Sequence, residues 1–380
     1  MADQKQHTRR QHVLHQKDQN LQRLIAWIAA GIGALLLGVL AYGLLAEYLI
    51  KPQQAVATIG EGKITVDEYQ DRVRYERIML RSQIAQYQNY LSQIDASDPT
   101  MQSIVQQLQS QQAQMEQQLT PALAPLFGGN VLDKMVEEQL IRQAAAKQGI
   151  EASAEDVELQ IEQMMGYDRE ATQEITSTEE LTDTAKPMTA AEYHENYTAF
   201  VANFLGTSGL SEESFRQLLA INILKPQVVE GLAQDMVTVA EQTKINYIST
   251  KIGAEAAVLE GRLSAGETDI AALTEELNGN ENPDNGGGSL PWYPLGYIEQ
   301  FLGAEVESAA FDTPVGEISA PVQGQDESYY IIYVEDREER PLSETLLQQE
   351  QLNSYNEWLT SEISAQVEKL DWQEVTPDQP

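Results

Sequence analysis

The chain opens polar, then carries no charge from Leu24 to Ala46, then alternates between helical and strand-like spacings. The uncharged run of 23 residues would extend about 35 Å as a helix, enough for a hydrocarbon core of roughly 30 Å. It predicts one membrane-spanning helix over 24–46 behind a tail, residues 1–23. The run is too long for a signal-peptide core, and no small-residue cleavage pattern follows it. Lys5, Arg9, Arg10, Lys17 and Arg23 precede the span, and only Lys51 follows closely. That asymmetry predicts a cytoplasmic N-terminus with residues 51–380 outside the cell membrane.

Behind the span, residues 55–60 read as a strand and Glu61-Gly62-Lys63 as its turn. Thr65 and Glu68 form a T-x-x-E capping box that opens a helix at Val66. Apolar positions from Tyr69 to Leu91 keep helical spacing until Ser97-Asp98-Pro99. Met101, Ile104, Leu108, Met115 and Leu119 predict a second helix over 101–119, ended by Pro121 and Pro125. Nine of the seventeen residues from Gln102 to Gln118 are glutamine, yet the stripe argues for a packed helical hairpin. A third helix, about 130–148, turns Leu132, Met135, Val136 and Leu140 inward and stops at Gly149, as a left-handed cap requires. Ser153 and Asp156 cap a fourth.

Residues 168–190 are polar and aperiodic and read as exposed; a helical pattern resumes over about 190–204, and the two together make an insertion, 168–205. Helical spacing resumes from Ser211 to about 238, with Pro226 as a kink. Next come a strand at Ile245–Ile248, helices at 253–265 and 269–277, an Asn/Gly-rich loop over 278–289 and a strand at 329–334. Pro341 marks a joint. A last helix, 343–370, aligns Leu352, Tyr355, Leu359, Ile363, Val367 and Leu370 on one face.

Composition narrows the functions. There is no cysteine, which removes disulfides, thiol catalysis and thiolate metal sites. The chain has 24 basic and 59 acidic residues; the first 50 positions hold five basic and three acidic ones, leaving 19 against 56 beyond them. Nucleic-acid binding needs the opposite sign. Four histidines, His7, His12, His15 and His194, leave no Ser/His/Asp set for a hydrolase in the exterior part.

One stretch carries more. Gly286-Gly287-Gly288 runs through Ser289-Leu290-Pro291-Trp292, Phe311 and Pro314–Val322 follow, and Tyr329–Val334 closes the series. This order resembles the C-terminal half of a parvulin-type peptidyl-prolyl isomerase domain. The longer succession of strand, capped helices, parvulin-like segment and terminal helix resembles the SurA- and PrsA-like extracytoplasmic foldases. The resemblance implies an α+β fold: a mainly helical chaperone domain over 53–240, a parvulin-like domain over 241–340 with a small antiparallel sheet, and a helix over 341–372 packing back on the helical domain. It implies unfolded or proline-containing polypeptides as clients, the translocation machinery as a neighbour, and neither cofactor nor metal.

The resemblance also implies a site. Phe311 falls on the pocket phenylalanine, Leu302 or Phe301 near the usual Met/Leu, and Leu290 and Trp292 behind a glycine corner made by Gly287 and Gly288. The two family histidines fall on Tyr247 and Tyr330, and the central Cys/Asp near Glu281. Tyrosines both donate and accept hydrogen bonds, but do not titrate near neutrality as histidine does. Three readings stay open: a weakened isomerase, a proline-tolerant binding surface, or strand tyrosines that only pack. For the whole chain the alternatives are a membrane-anchored chaperone, an active prolyl isomerase, and an adaptor docking one fixed partner.

Overall fold

The computed structural model describes Trp27 and residues 35–94, 101–170, 188–234, 236–279 and 284–379. The expected tail 1–23, residues 24–34 of the span apart from Trp27, the 171–187 part of the insertion, and Glu281 lie outside the described residues. Leu35–Gln53 is one apolar helix of 19 residues, none of it buried, long and apolar enough to cross a membrane. It runs past the expected end at Ala46 because a π-helical turn, Ala46–Ile50, and a 3-10 turn, Lys51–Gln53, carry it on through the Lys51–Glu47 pair.

The fold is α+β, in two compact units: one runs to Gly231 and resumes at Asn356, the other is Leu232–Tyr355. In the first, β1 (Ala55–Ile59) pairs antiparallel with β2 (Gly62–Thr65). The expected turn at 61–63 is thus mostly strand, because Gly60 alone, at φ 59, reverses the chain. Thr65 and Glu68 close the capping box of α1 (Val66–Gln93). α2 (Gln102–Gln118) packs along α1 but has no buried residue. Glutamines flank its stripe, so Leu108, Met115 and Leu119 stay half-buried and Ile104 is exposed. α3 (Ala124–Gln148) takes Pro125 into its first turn, where a missing N–H costs nothing, so that proline starts a helix and does not end one. Gly149, at φ 71, caps it. Val56, Ala57, Ile59, Tyr69, Val73, Val131, Leu132, Val136 and Leu140 form the core between hairpin and helices.

A buried ion pair ties α1 to α3. Arg72 donates to both carboxylate oxygens of Glu138, at 2.8 and 3.1 Å, and to Glu76 at 3.0 Å. α4 (Ala154–Met165) begins at the Ser153/Asp156 box. The helix expected from about residue 190 is present and packs into the unit. Thr189 and Glu192 cap α5 (Ala190–Ala199), which continues as a π-helix, Phe200–Leu205. Tyr193 and Leu205 are buried with Val157, Ile161 and, from α6 (Glu212–Leu232), Phe215. Rings of Tyr167, Tyr193, Tyr197, Phe200 and Phe204 stack in sequence at 4.8, 6.1, 6.4 and 5.2 Å between centroids.

The second unit is a four-stranded antiparallel sheet with helices on both faces. Its strands are β3 (Val239–Thr250), β4 (Asn285–Pro294), β5 (Val322–Gln323) and β6 (Tyr329–Pro341), in the order β4-β3-β6-β5. α7 (Gly253–Ser264) and α8 (Ile270–Asn278) supply Leu259, Ile270, Leu273 and Leu277 to one face, against Ile248 and Ile331. α9 (Glu299–Leu302) and α10 (Ala304–Asp312) cover the other. The Glu307 carboxylate, on α10 and buried, accepts from the backbone N–H groups of Gly296 at 2.9 Å, Ile298 at 2.9 Å and Glu299 at 3.2 Å. It pins the segment leading into α9.

The last helix, α11 (Glu344–Gln366), stops short of the expected end at 370. Residues Val367–Lys369 are a strand, β7, paired antiparallel with β1, so the first unit's sheet has the order β2-β1-β7. The expected apolar face is only partly used: Tyr355 is buried, whereas Leu352, Ile363 and Leu370 are exposed.

Candidate functional site

Strand alternation decides which side chains meet. On β3, Ile245 and Tyr247 face one side of the sheet and Ile248 the other; on β6, Tyr330, Ile332 and Val334 share the side of Tyr247. Tyr247 sits opposite Ile332, and Ser249 opposite Tyr330, so the two tyrosines are diagonal neighbours on adjacent strands. Their ring centroids are 5.8 Å apart, with planes inclined at 54°.

The glycine run lies inside β4 and is not a loop: Gly288 pairs with Tyr247 and Gly287 with Ile248. Neither takes a positive φ, so the expected corner is absent. Space, and not left-handed backbone, requires glycine here. A Cβ on Gly288 would lie 3.0 Å from the Tyr247 hydroxyl oxygen, and one on Gly287 2.9 Å from the Tyr247 carbonyl oxygen.

Tyr330 is 6% exposed. Burial first, then the charge of the nearby Asp326 carboxylate, push its pKa up to about 12. Burial also raises Asp326, but hydrogen bonds from the Ser328 hydroxyl (2.7 Å) and N–H (3.1 Å), together with the Lys251 charge, outweigh that and hold it below the usual carboxylate range. Lys251 in turn donates to the Asp326 carbonyl at 2.8 Å. The 232–355 unit contains no histidine. Any turnover there should therefore show no inflection between about pH 5 and 9 in kcat/KM, measured across buffers of constant ionic strength. Stability behaves differently. A tyrosine raised from 10.0 to about 12 stabilises the fold fully below 10.0, and that contribution is lost as pH rises through about 12.

Leu290, Leu302 and Phe311 are half-buried against Ile245, Ile298, Val306, Ala310, Tyr330, Ile332 and Val334. The Arg337 guanidinium lies 5.8 Å from the Phe311 ring centroid and is fixed by the carbonyls of Ala310 (2.9 Å) and Thr313 (2.7 Å). Two expected residues lie outside this cluster. Phe301 is 40% exposed, its ring edge-on to Tyr293 at 5.7 Å. Trp292 is displaced by a β-bulge: Thr243 pairs with Tyr293 but Ile245 with Leu290, so one extra residue separates Leu290 from Tyr293 and both face the cluster. Trp292 lies under Arg340, 4.4 Å from guanidinium to ring, in a separate cavity of about 370 Å³ with Gln242, Pro291 and Leu346.

Sequence reasoning missed Asp326, Ser328 and Lys251, which set the charge beside Tyr330, and Tyr293, which takes the place expected of Trp292. The Asp326-Glu327-Ser328 turn carries a legible signal, an aspartate bonding the N–H two residues on.

Comparison with known proteins adds a domain assignment. Residues 233–345 match the PPIC-type PPIASE domain. The chain is similar to crystal structures of the peptidylprolyl isomerase PrsA from Bacillus anthracis (18% identity, 60% of this chain and 96% of that chain, TM-score 0.30) and from Bacillus cereus (19%, 67% and 82%, TM-score 0.31). It is also similar to one of the SurA-like chaperones of Campylobacter jejuni (14%, 64% and 88%, TM-score 0.21). At scores this low such likenesses carry no functional argument. The curated proteins contain no match.

Proposed function

Residues 233–345 being a PPIC-type peptidyl-prolyl isomerase domain in a SurA/PrsA-like foldase chain, we propose that the protein is a membrane-anchored extracytoplasmic chaperone. It binds unfolded secreted or membrane proteins and presents their proline segments to the face carrying Tyr247, Tyr330, Leu290, Leu302 and Phe311. The observation that carries this reading is the domain match, together with the gathering of those five side chains on one sheet face. The helical unit is the holding module. The apolar helix Leu35–Gln53 supports the anchor. Tethering raises the local concentration of protein where clients emerge, so modest affinity suffices.

Rotating an X–Pro bond meets a barrier of about 18–20 kcal/mol set by amide resonance. A water-poor apolar face with hydroxyls nearby lowers that barrier by favouring the twisted amide, with no covalent step. A protease-coupled proline-peptide assay on residues 51–380 tests the catalytic part. Phe311→Ala should lower kcat/KM about tenfold, a loss of about 1.4 kcal/mol; an unchanged rate refutes the pocket assignment. One observation favours a binding-only variant of this reading: Tyr330 is buried and lies beside the Asp326 carboxylate. Suppression of client aggregation without measurable turnover would select it. Protease accessibility of residues beyond 53 in intact cells tests the orientation.

A further inference from the structure

Residues Gln366–Gln379 form a strap across the helical unit, and we infer that it stands in for a client: the seat beneath it binds an extended segment of unfolded polypeptide when the strap lifts. This rests on the chaperone reading above.

The strap is held through side chains, with Thr376 bonded to the Tyr69 hydroxyl at 2.7 Å, Lys369 paired with Asp133, and Val367, Trp372 and Val375 packed on the core, and through its backbone. Gly60 N–H donates to the Gln366 carbonyl at 2.9 Å, and Leu370 N–H to the Val56 carbonyl at 2.8 Å. Between them Val367, Glu368 and Lys369 pair with Ile59, Thr58 and Ala57. Further on, the Gln70 amide donates to the Val375 carbonyl at 2.7 Å and the Arg77 guanidinium to the Asp378 carbonyl at 2.6 Å. Every polypeptide offers such carbonyls and N–H groups. A seat that reads backbone along an open strand edge suits clients of unrelated sequence.

The floor of the seat is shaped for a passing chain. Gly128 and Gly129 lie inside α3, where glycine weakens a helix relative to alanine. A Cβ on Gly128 would lie 2.2 Å from the Tyr69 hydroxyl and 2.5 Å from Thr376; one on Gly129 would lie 2.9 Å from the Trp372 ring. Trp372 sits edge-on to Tyr69 at 6.4 Å, which marks a place for an aromatic side chain of the occupant. At the far end Arg77 is fully buried, and its Nε and Nη1 have no hydrogen-bond partner. Those spare donors suit a carbonyl or carboxylate that the strap does not supply.

The strap lies on the surface of the unit. None of its residues is buried, yet it covers Val56, Ala57, Ile59 and Tyr69, all at most 1% exposed. Short surface elements without buried residues open at lower free energy than a core, and the strap is inferred to be one. Lifting it bares the β1 edge, the Tyr69 groove and the Arg77 donors together.

The chain has no cysteine, so Thr58→Cys with Glu368→Cys introduces the only disulfide it can form, at directly paired positions. In the full-length protein the reduced variant should bind carboxymethylated, permanently unfolded α-lactalbumin. Oxidation should weaken that binding at least about tenfold, and reductant should restore it. Trp372→Ala, which loosens the strap without a latch, should tighten binding severalfold. Equal binding by oxidised and reduced forms overturns the strap inference and leaves the chaperone reading standing. Absence of binding by both forms overturns the chaperone reading, and the inference with it.

Discussion

Replacing Glu307 with alanine should lower the stability of the 232–355 unit by about 3–5 kcal/mol, since each orphaned buried donor costs about 1–3 kcal/mol. The carboxylate is the shared acceptor for the N–H groups of Gly296, Ile298 and Glu299. Ile298, which these bonds fix, is fully buried beneath the face that carries Tyr330. Alanine leaves three donors without an acceptor and opens a void on α10. Water entering the gap recovers part of the loss, which is why the expected figure falls short of the full sum. Glu307→Gln keeps one oxygen in place and should cost less than half as much. Amide hydrogen exchange of residues 232–355 under increasing urea reads both variants; a shift under 1 kcal/mol for the alanine variant would sink the argument, being no more than an ordinary surface substitution.

The second large effect is expected in the helical unit. Glu138→Ala should destabilise it by about 3 kcal/mol, the low end for a broken buried pair, because Glu76 remains beside Arg72. Arg72 is 7% exposed, so its charge cannot turn to solvent without dragging α1 off α3. Removing both charges as Arg72→Met with Glu138→Leu should recover most of the loss, since well-packed apolar groups replace buried ion pairs at little cost. A double-mutant cycle read by denaturant midpoints measures the coupling. Simple additivity of the two single losses would mean that the pair contributes nothing as a pair.

Local chemistry is what the sequence made legible. The boxes at Thr65/Glu68 and Ser153/Asp156 and the Gly149 cap need only residues a few positions apart, and each stands where expected. The resemblance implies Tyr247 and Tyr330 as a pair of strand residues, and their ring centroids lie 5.8 Å apart. Misreadings arose where the deciding partner is distant. Glycine at 286–288 reads as a turn, because the sequence does not display the Tyr247 atoms that exclude a Cβ. Helical spacing runs on through Val367, but the backbone there leaves α11 to pair with β1, more than 300 residues earlier in the chain. One extra residue in β4 redirects Trp292, and Pro291 is the local mark of that bulge. The helical spacing that resumes near residue 190 is likewise legible, and only the burial of Tyr193 and Leu205 against Phe215 depends on distant partners.

The pairing of β1 with β7 sets an order of events during biosynthesis. A chain made from its N-terminus produces strand 55–59 early, but that strand waits for residues 367–369 to complete its sheet. The 232–355 unit contains all of its own strands and can become native first. Maturation of the surrounding unit therefore waits for residues 367–369, and a chain cut short before them would carry a native insert in an unfinished host.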